Sequence, residues 1–278
     1  MAEVRLGVDH LTVFGMPPLA FVALAEEAGC DSVSLMAASQ PEIEPWSFPQ
    51  WSLTTDAGLR RETAAKLSDS GVRLELGECS VISPAYDVTA LIPQIDAFCE
   101  LGAARLNIAT YEADPSREAD QLCRFAELAR ERGMPFCFEF SARIRPRKLD
   151  EQAALVEQAG RPGASILLDV MHFYRARHTA ADLALFDPAL FPYLQLCDAP
   201  MRGEANYMLE ALHDRMVPGE GEMPVAEMLA ALPADIVVSM EIPQVRLANT
   251  GVPHLERVRE AARKCRALLE KVAAARGG

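Results

Sequence analysis

The sequence has 278 residues, half of them apolar, and is long enough to bury the core of one large barrel or of two ordinary domains. Its formal charge of −13 argues against a nucleic-acid or membrane-surface partner, because both need a basic face. An N-terminus without a signal-peptide pattern and seven scattered cysteines without a CxxC pair predict a cytoplasmic protein with reduced thiols.

Apolar runs alternate with helix patterns along the whole chain. Strands are predicted at residues 4–8, 32–36, 72–77, 105–109, 136–140, 165–169, 193–198 and 236–241. Helices are predicted at residues 17–29, 56–70, before Gly102, and at 115–133, 148–160, 180–186, 224–232 and 253–275. Eight strands alternating with eight helices are typical of an α/β fold, the (β/α)8 TIM barrel, so we predict one such domain over residues 1–278. A doubly wound open sheet is the alternative, but no G-x-G-x-x-G follows the first strand.

Four consecutive predicted strands, the fifth to the eighth, carry a polar oxygen ligand near their C-terminal ends. In the fifth strand the three phenylalanines of FCFEF share one face and leave Glu139 on the other. The same alternation places Asp169, Gln195 and Glu241 opposite the large apolar residues of their strands. Because the carboxyl ends of barrel strands meet at one mouth, we predict that all four side chains point into the barrel.

Three carboxylates and one amide oxygen form a ligand set that suits Mg²⁺ or Mn²⁺ better than structural zinc. Three acids facing each other would repel strongly without a cation, so we predict that Glu139, Asp169, Gln195 and Glu241 bind a divalent metal ion. The alternative is an ion-pair network in which inward-facing arginines neutralise the acids. Arg73 and Arg105 are the candidates, but they belong to strands across the barrel.

The ordered motifs resemble those of the xylose isomerase-like TIM barrels, the sugar phosphate isomerase/epimerase superfamily, over essentially the full length. The matching pieces are Glu139, D-x-x-H from Asp169 to His172, Q-x-x-D from Gln195 to Asp198, R-x-x-P-G-E-G from Arg215 and E-x-P from Glu241. Many members have histidine where Gln195 stands, whereas members similar to hydroxypyruvate isomerase have glutamine. The pattern is also similar to that of the ketose 3-epimerases.

The resemblance implies an isomerase or epimerase that depends on a divalent metal and acts on a sugar or another α-hydroxycarbonyl compound through an enediolate. Glu139 and Glu241 would flank the reacting carbon, one taking the proton and the other returning it. Return of the proton to the neighbouring carbon gives isomerisation, and return to the opposite face of the same carbon gives epimerisation.

Further residues are candidates for contacts with a small-molecule substrate. His172 could bind a substrate oxygen or be merely solvated. Arg215 could clamp a substrate oxygen or form a surface ion pair with a nearby acid. Trp46 could form a wall of the pocket or cap the barrel, and Asn107 on the fourth strand and His10 after the first are weaker candidates.

Two residues of the seventh predicted strand compete for the fourth ligand position. Gln195 and Asp198 are three apart, and therefore lie on opposite faces of a regular strand. We predict that Gln195 binds the metal and that Asp198 supports the ligands or anchors the following loop. That loop, about residues 199–223, is longer than a minimal connection, and its sequence predicts an extra helix over the mouth.

Three other functions compete with this prediction. A dehydratase or other lyase, similar to dehydroshikimate dehydratases, shares the first chemical step and differs by expelling a β-hydroxyl. A non-catalytic small-molecule binding barrel would keep the fold without turnover, and a homo-oligomer is open for any of these. A DNA-repair endonuclease of the same fold is disfavoured by the acidity and by the lack of a histidine-rich zinc cluster.

Overall fold

A computed structural model describes residues 5–140, 148–203 and 206–276. Eight parallel strands form a closed barrel in chain order, and β8 pairs with β1. The strands are β1 (Gly7–Val8), β2 (Ser32–Met36), β3 (Arg73–Ile82), β4 (Leu106–Thr110), β5 (Phe136–Glu139), β6 (Ala164–Asp169), β7 (Tyr193–Leu196) and β8 (Val237–Met240). The predicted TIM barrel is confirmed, and Val4, where the first strand was predicted to begin, lies outside the described residues.

Helices follow the strands and surround the barrel. They are α1 (Pro18–Glu27), α2 (Ala57–Ser70), α3 (Ile92–Glu100), α4 (Pro115–Glu131), α5 (Leu149–Ala159), α6 (Val170–Arg175), α7 (Ala180–Leu183), α8 (Tyr207–His213), α9 (Val225–Ala231), α10 (Val245–Ala248) and α11 (His254–Arg276). Local chemistry sets their ends: Asp56 accepts a hydrogen bond from the Leu59 amide at the start of α2, and Gly71 ends it in the left-handed conformation. In the part of the chain that the structure describes, these helices are too short or too polar to cross a membrane.

The buried apolar residues separate into an outer and an inner group. The outer group joins strand residues such as Phe138, Leu168 and Leu194 to helix residues such as Phe125. The inner group fills the barrel and consists of Leu76, Cys137, Leu167 and Tyr193, with Val237 packed against it. Its members on β5 to β8 lie on the faces predicted to point inward, so the alternation predicted for these four strands is confirmed.

β3 does not follow a regular alternation. Val33 of β2 pairs with Leu74 and Ser34 pairs with Leu76, so Glu75 is an extra residue that forms a bulge. Leu74 accordingly packs in the outer group while Leu76 packs inside the barrel. The bulge also turns Glu78, which a regular strand would direct outward, into the barrel, where it is buried beside other carboxylates.

The amino-terminal end of the barrel contains a separate ion-pair group. Arg73 Nε lies 3.1 Å from Glu75 Oε1, and Arg105 Nη2 lies 3.6 Å from Glu75 Oε2. Arg105 also donates to the Pro192 carbonyl at 3.3 Å. The alternative in which these arginines neutralise the acids at the barrel mouth is therefore wrong, because both pair with Glu75 at the opposite end.

Candidate active site at the barrel mouth

The strands bring the four predicted ligands to the same end of the barrel. β5 ends at Glu139 and β6 ends at Asp169, which pairs in register with Gln195 of β7, while Glu241 directly follows β8. All four are nearly inaccessible, with exposed fractions of 8, 0, 1 and 4% respectively. Residues far apart in the chain thus form one buried polar cluster.

Arg215 lies within this cluster. The sequence did not predict that Arg215 would contact the proposed ligands. Its Nη1 is 2.7 Å from Glu241 Oε2 and also contacts Asp169 Oδ2. Its Nε donates to the Ala211 carbonyl of α8 at 2.8 Å, and the residue is 3% exposed. A surface ion pair for Arg215 is therefore wrong, since it is a buried counter-ion of two predicted metal ligands.

Gln195 contacts the Glu241 oxygen that Arg215 does not contact. Its Nε2 donates to Glu241 Oε1 at 2.8 Å. Its Oε1 is buried and has no hydrogen-bond partner within the described residues. A buried amide oxygen in this position is costly unless a cation or another donor contacts it.

Glu139 is held by two of the residues that were predicted to contact a substrate. Asn107 Nδ2 donates to Glu139 Oε2 at 3.0 Å, and His172 Nε2 lies 3.6 Å from Glu139 Oε1. The His172 amide donates to Asp169 Oδ1 at 2.8 Å, so Asp169 caps α6, and the ring Nδ1 contacts the Tyr207 hydroxyl. His172 is fully buried, so the prediction of a merely solvated loop histidine is wrong.

Two further carboxylates lie at the mouth, Asp9 and Glu78, and the sequence pattern predicts neither of them. Asp9 Oδ1 accepts hydrogen bonds from the Tyr193 hydroxyl at 2.6 Å and the Ser239 hydroxyl at 2.5 Å. Asp9 follows a strand of only two residues, too short for an alternation signal, and Glu78 is hidden by the bulge in β3. Both are buried, so the mouth is more acidic than predicted.

The environment disfavours ionisation of three of these carboxyls. Burial raises the pKa of Asp9 to about 6, despite hydrogen bonds from its neighbours. Burial, with the charges of Asp9 and Glu139, raises the pKa of Glu78 well above its ordinary value. The pKa of Glu241 is also raised by burial and by neighbouring carboxylates, although Arg215 opposes this.

Asp169 behaves differently from the other acids. Burial alone would raise its pKa, but the Arg215 guanidinium and the His172 ring together hold that pKa below its ordinary value. Asp169 therefore stays ionised at the centre of the cluster. The described mouth thus contains five buried carboxyl groups (Asp9, Glu78, Glu139, Asp169 and Glu241), and Arg215 forms ion pairs with two of them, Asp169 and Glu241.

These residues fit a hard divalent cation. The donors are carboxylate oxygens and an amide oxygen, which Mg²⁺ and Mn²⁺ prefer, and the Gln195 oxygen is buried without a donor. The surplus of negative charge favours a further cation. Among residues 5–140, 148–203 and 206–276, no three His, Cys, Asp or Glu side chains lie ready to hold an ion, and Arg215 contacts both Asp169 and Glu241. Arg215 thus competes with a bound cation for two of the four predicted ligands.

We expect Asp9→Asn to raise the free energy of unfolding of the metal-free protein above neutral pH. A folded pKa of about 6, against 3.8 ordinarily, means that ionising Asp9 costs stability as pH rises through this window. The difference corresponds to about 3 kcal/mol at most. Urea unfolding should therefore show a gain near pH 8, and little change near pH 4, relative to the unsubstituted protein.

Asp87→Asn provides a control of the opposite sign. Hydrogen bonds from Thr89 and Gln121 lower the pKa of the exposed Asp87 to about 2, so its ionised form stabilises the fold. This variant should lose stability at neutral pH rather than gain it. If the free energy of unfolding of Asp9→Asn changed with pH as steeply as that of the unsubstituted protein, the burial argument would be contradicted.

Asp198 anchors the long segment after β7. Its Oδ1 accepts from the amides of Ala199 (2.8 Å) and Met223 (3.0 Å), and its Oδ2 from those of Gly219 (2.8 Å) and Gly221 (3.1 Å). β7 has already ended at Leu196, so the strand alternation no longer applies there. A Cβ at Gly221 would clash with the Asp198 carboxylate, which explains the second glycine of the PGEG motif.

Trp46 and His10 have contacts that stabilise loops around the mouth. The half-buried Trp46 ring lies 4.8 Å from the His254 ring and 5.4 Å from the Arg257 guanidinium, and so joins the loop after β2 to α11. His10 Nδ1 accepts from the Met36 amide at 3.1 Å and its Nε2 donates to the Met16 carbonyl at 2.7 Å. Burial lowers the pKa of His10 to about 4, so this ring is a neutral structural element.

The fold and the acidic mouth together define a TIM barrel with an oxygen-lined site at the carboxyl ends of its strands. The sequence model described as the xylose isomerase-like TIM barrel matches residues 22–268. The chain therefore belongs to the xylose isomerase-like TIM barrel family. No curated protein sequence matches the chain.

Solved structures support the same fold. An IolI protein with a bound zinc atom is 15% identical over 97% of this chain and 99% of its own, with a TM-score of 0.76. A D-psicose 3-epimerase structure obtained in the presence of D-fructose is 16% identical over 96% and 99%, with a TM-score of 0.68. A xylose isomerase-like TIM barrel/4-hydroxyphenylpyruvate dioxygenase fusion protein is 21% identical, with a TM-score of 0.73. The chain covers 42% of that fusion protein, which covers 95% of this chain.

Proposed function

We propose that this protein is a divalent-metal-dependent isomerase or epimerase acting on a sugar or another α-hydroxycarbonyl compound. The observation that carries the proposal is the convergence of Glu139, Asp169, Gln195 and Glu241 in one buried cluster at the barrel mouth. Membership of the family and likeness in fold to a zinc-bound IolI protein and to a ketose 3-epimerase agree with it.

The same four residues would hold the metal, with Gln195 contributing its buried Oε1. Mg²⁺ or Mn²⁺ suits this all-oxygen set. When bound, the ion polarises a carbonyl and stabilises the negative charge that develops on its oxygen. The neutral amide of Gln195 also limits the crowding of negative charge around the ion.

Two carboxylates of the chain, Glu139 and Glu241, transfer the proton. Glu139 takes the proton from the carbon next to the carbonyl, and Asn107 orients it through the 3.0 Å hydrogen bond to Oε2. Glu241, across the cluster, returns a proton. Return to the adjacent carbon interconverts an aldose and a ketose, and return to the opposite face of the same carbon gives an epimer.

The proposal is tested on purified protein with a panel of aldoses, ketoses and hydroxypyruvate in heavy water. A chelator should abolish turnover, Mn²⁺ or Mg²⁺ should restore it, and the product should carry deuterium at the reacting carbon. Full activity without metal, or a product without solvent label, would contradict the proposal. A new ultraviolet-absorbing product would identify a dehydratase instead, and ligand binding without turnover would identify a binding protein.

Metal affinity should depend on Gln195 more than on Asp198. Gln195→Leu removes a proposed ligand and is expected to weaken Mn²⁺ binding by about 10–100-fold or more. Asp198→Asn perturbs a side chain that is engaged by four loop amides, so its effect on binding should be smaller. Isothermal titration calorimetry measures both, and an equal or larger loss for Asp198→Asn would show that Asp198 is the ligand.

A further inference from the structure

α8 lies across the mouth and is connected to α6 through two side-chain pairs. His172 of α6 contacts the Tyr207 hydroxyl of α8. Arg175 of α6 binds Glu210 of α8 through two contacts, Nη2 to Oε1 at 2.8 Å and Nη1 to Oε2 at 3.1 Å. Both pairs have the same spacing of three residues on each helix, so each helix presents one face to the other.

The connecting segment is shaped around the second of these pairs. The Arg175 and Glu210 side chains are 8 and 3% exposed, and Arg175 Nη2 also donates to the Pro200 carbonyl at 2.7 Å. A Cβ at Gly203 would overlap the Arg175 guanidinium, so a side chain there would displace this guanidinium from its present position. A buried, bidentate ion pair of this kind holds α8 in one position relative to α6.

The Tyr207 contact determines which nitrogen of the neutral His172 ring carries the proton. Glu139 Oε1 lies 3.6 Å from His172 Nε2, slightly beyond hydrogen-bonding distance, so this ring nitrogen faces a carboxyl oxygen, which is a hydrogen-bond acceptor. The favoured neutral tautomer therefore carries its proton on Nε2, facing Glu139. Nδ1 is then an acceptor, and the Tyr207 hydroxyl donates to it.

We propose that Tyr207 is a positioning residue of the active site, contributed by the segment after β7, which holds His172 in the tautomer and orientation that direct Nε2–H at Glu139. This inference rests on the proposed function, in which Glu139 takes the substrate proton. Tyr207 acts through His172, whose ring defines one side of the space in front of Glu139. The long segment is thus part of the catalytic arrangement.

The tautomer can be observed without a substrate. The chain has five histidines, so ¹⁵N-labelled imidazole signals are few, and His172→Gln identifies the His172 signal. At mildly alkaline pH the unsubstituted protein should show His172 protonated on Nε2, and Tyr207→Phe should shift this signal toward a mixture of tautomers. Tyr174→Phe is the matched control, because it removes a hydroxyl that donates to the Pro224 carbonyl at 2.9 Å.

Kinetics on any substrate that the panel identifies supply the second measurement. Tyr207→Phe should lower kcat by about 10–100-fold with little change in KM, as expected for loss of a group that orients a catalytic residue. Tyr174→Phe should retain the original kcat, and combining Tyr207→Phe with His172→Gln should cost no more than His172→Gln alone.

The outcomes separate this inference from the proposed function. An unchanged His172 signal in Tyr207→Phe, or a kcat equal to that of Tyr174→Phe, overturns the positioning role. A shifted His172 signal together with no turnover on the whole panel supports the positioning role and counts against the proposed function.

Discussion

Glu139→Gln is expected to lower kcat by about 10²–10⁴-fold, the usual contribution of a positioned general base. Glutamine has nearly the same shape and can still accept the Asn107 hydrogen bond through its amide oxygen, so the local structure should survive. What it loses is the ability to take a proton. The rate of deuterium incorporation from heavy water measures this step directly and should fall by the same factor.

Glu75→Gln is the matched control for this experiment. Glu75 and Glu139 are both inward-facing glutamates with an exposed fraction of 8%, but Glu75 pairs with Arg73 and Arg105 at the amino-terminal end. Its replacement should affect stability and leave kcat near its original value. Equal losses of kcat in the two variants would show that the inward glutamates act through stability alone.

Arg215→Met is expected to lower the free energy of unfolding of the metal-free protein by about 3–5 kcal/mol. The substitution leaves Asp169 and Glu241 buried without their cation, and an uncompensated buried charge is the costly outcome. A divalent ion in the same place would replace the lost charge. We therefore expect Mn²⁺ to restore much of the stability of this variant and to bind it more tightly than the unsubstituted protein.

Arg175→Met breaks an ion pair of similar burial outside the proposed metal site. It should also destabilise the protein, because Glu210 loses its partner, but Mn²⁺ should not restore that loss selectively. Chemical unfolding with chelator and with saturating Mn²⁺ distinguishes the two variants. If Mn²⁺ stabilised both variants and the unsubstituted protein to the same small extent, Arg215 would not compete with a metal.

The inward face of β5 to β8 could be predicted because these strands are regular and their outer residues are uniformly large and apolar. The role of Arg215 could not be predicted in this way. It lies in the connection after β7, where no periodicity reports on direction, and its burial depends on contacts with β6, β8 and α8. The same limit applies to Tyr207, whose contact with His172 joins two short helices.

Two acids at the mouth show how local irregularity of a strand hides the position of a residue. Asp9 follows a strand of two residues, so too few positions exist to reveal which face it belongs to. Glu78 follows a bulge, so counting alternate residues from Arg73 assigns it to the wrong face. The composition shows an excess of acidic residues in the whole chain, but it does not show that five buried carboxyl groups meet at the barrel mouth.

The bulge at Glu75 affects how this chain can change by mutation. Loss of codon 75 would remove the extra residue and leave Leu76 and Glu78 on their present faces. Loss of codon 77 would instead turn Glu78 outward and remove one carboxyl group from the mouth. Two single-codon deletions, two positions apart, would thus differ in whether the mouth keeps the carboxyl group of Glu78.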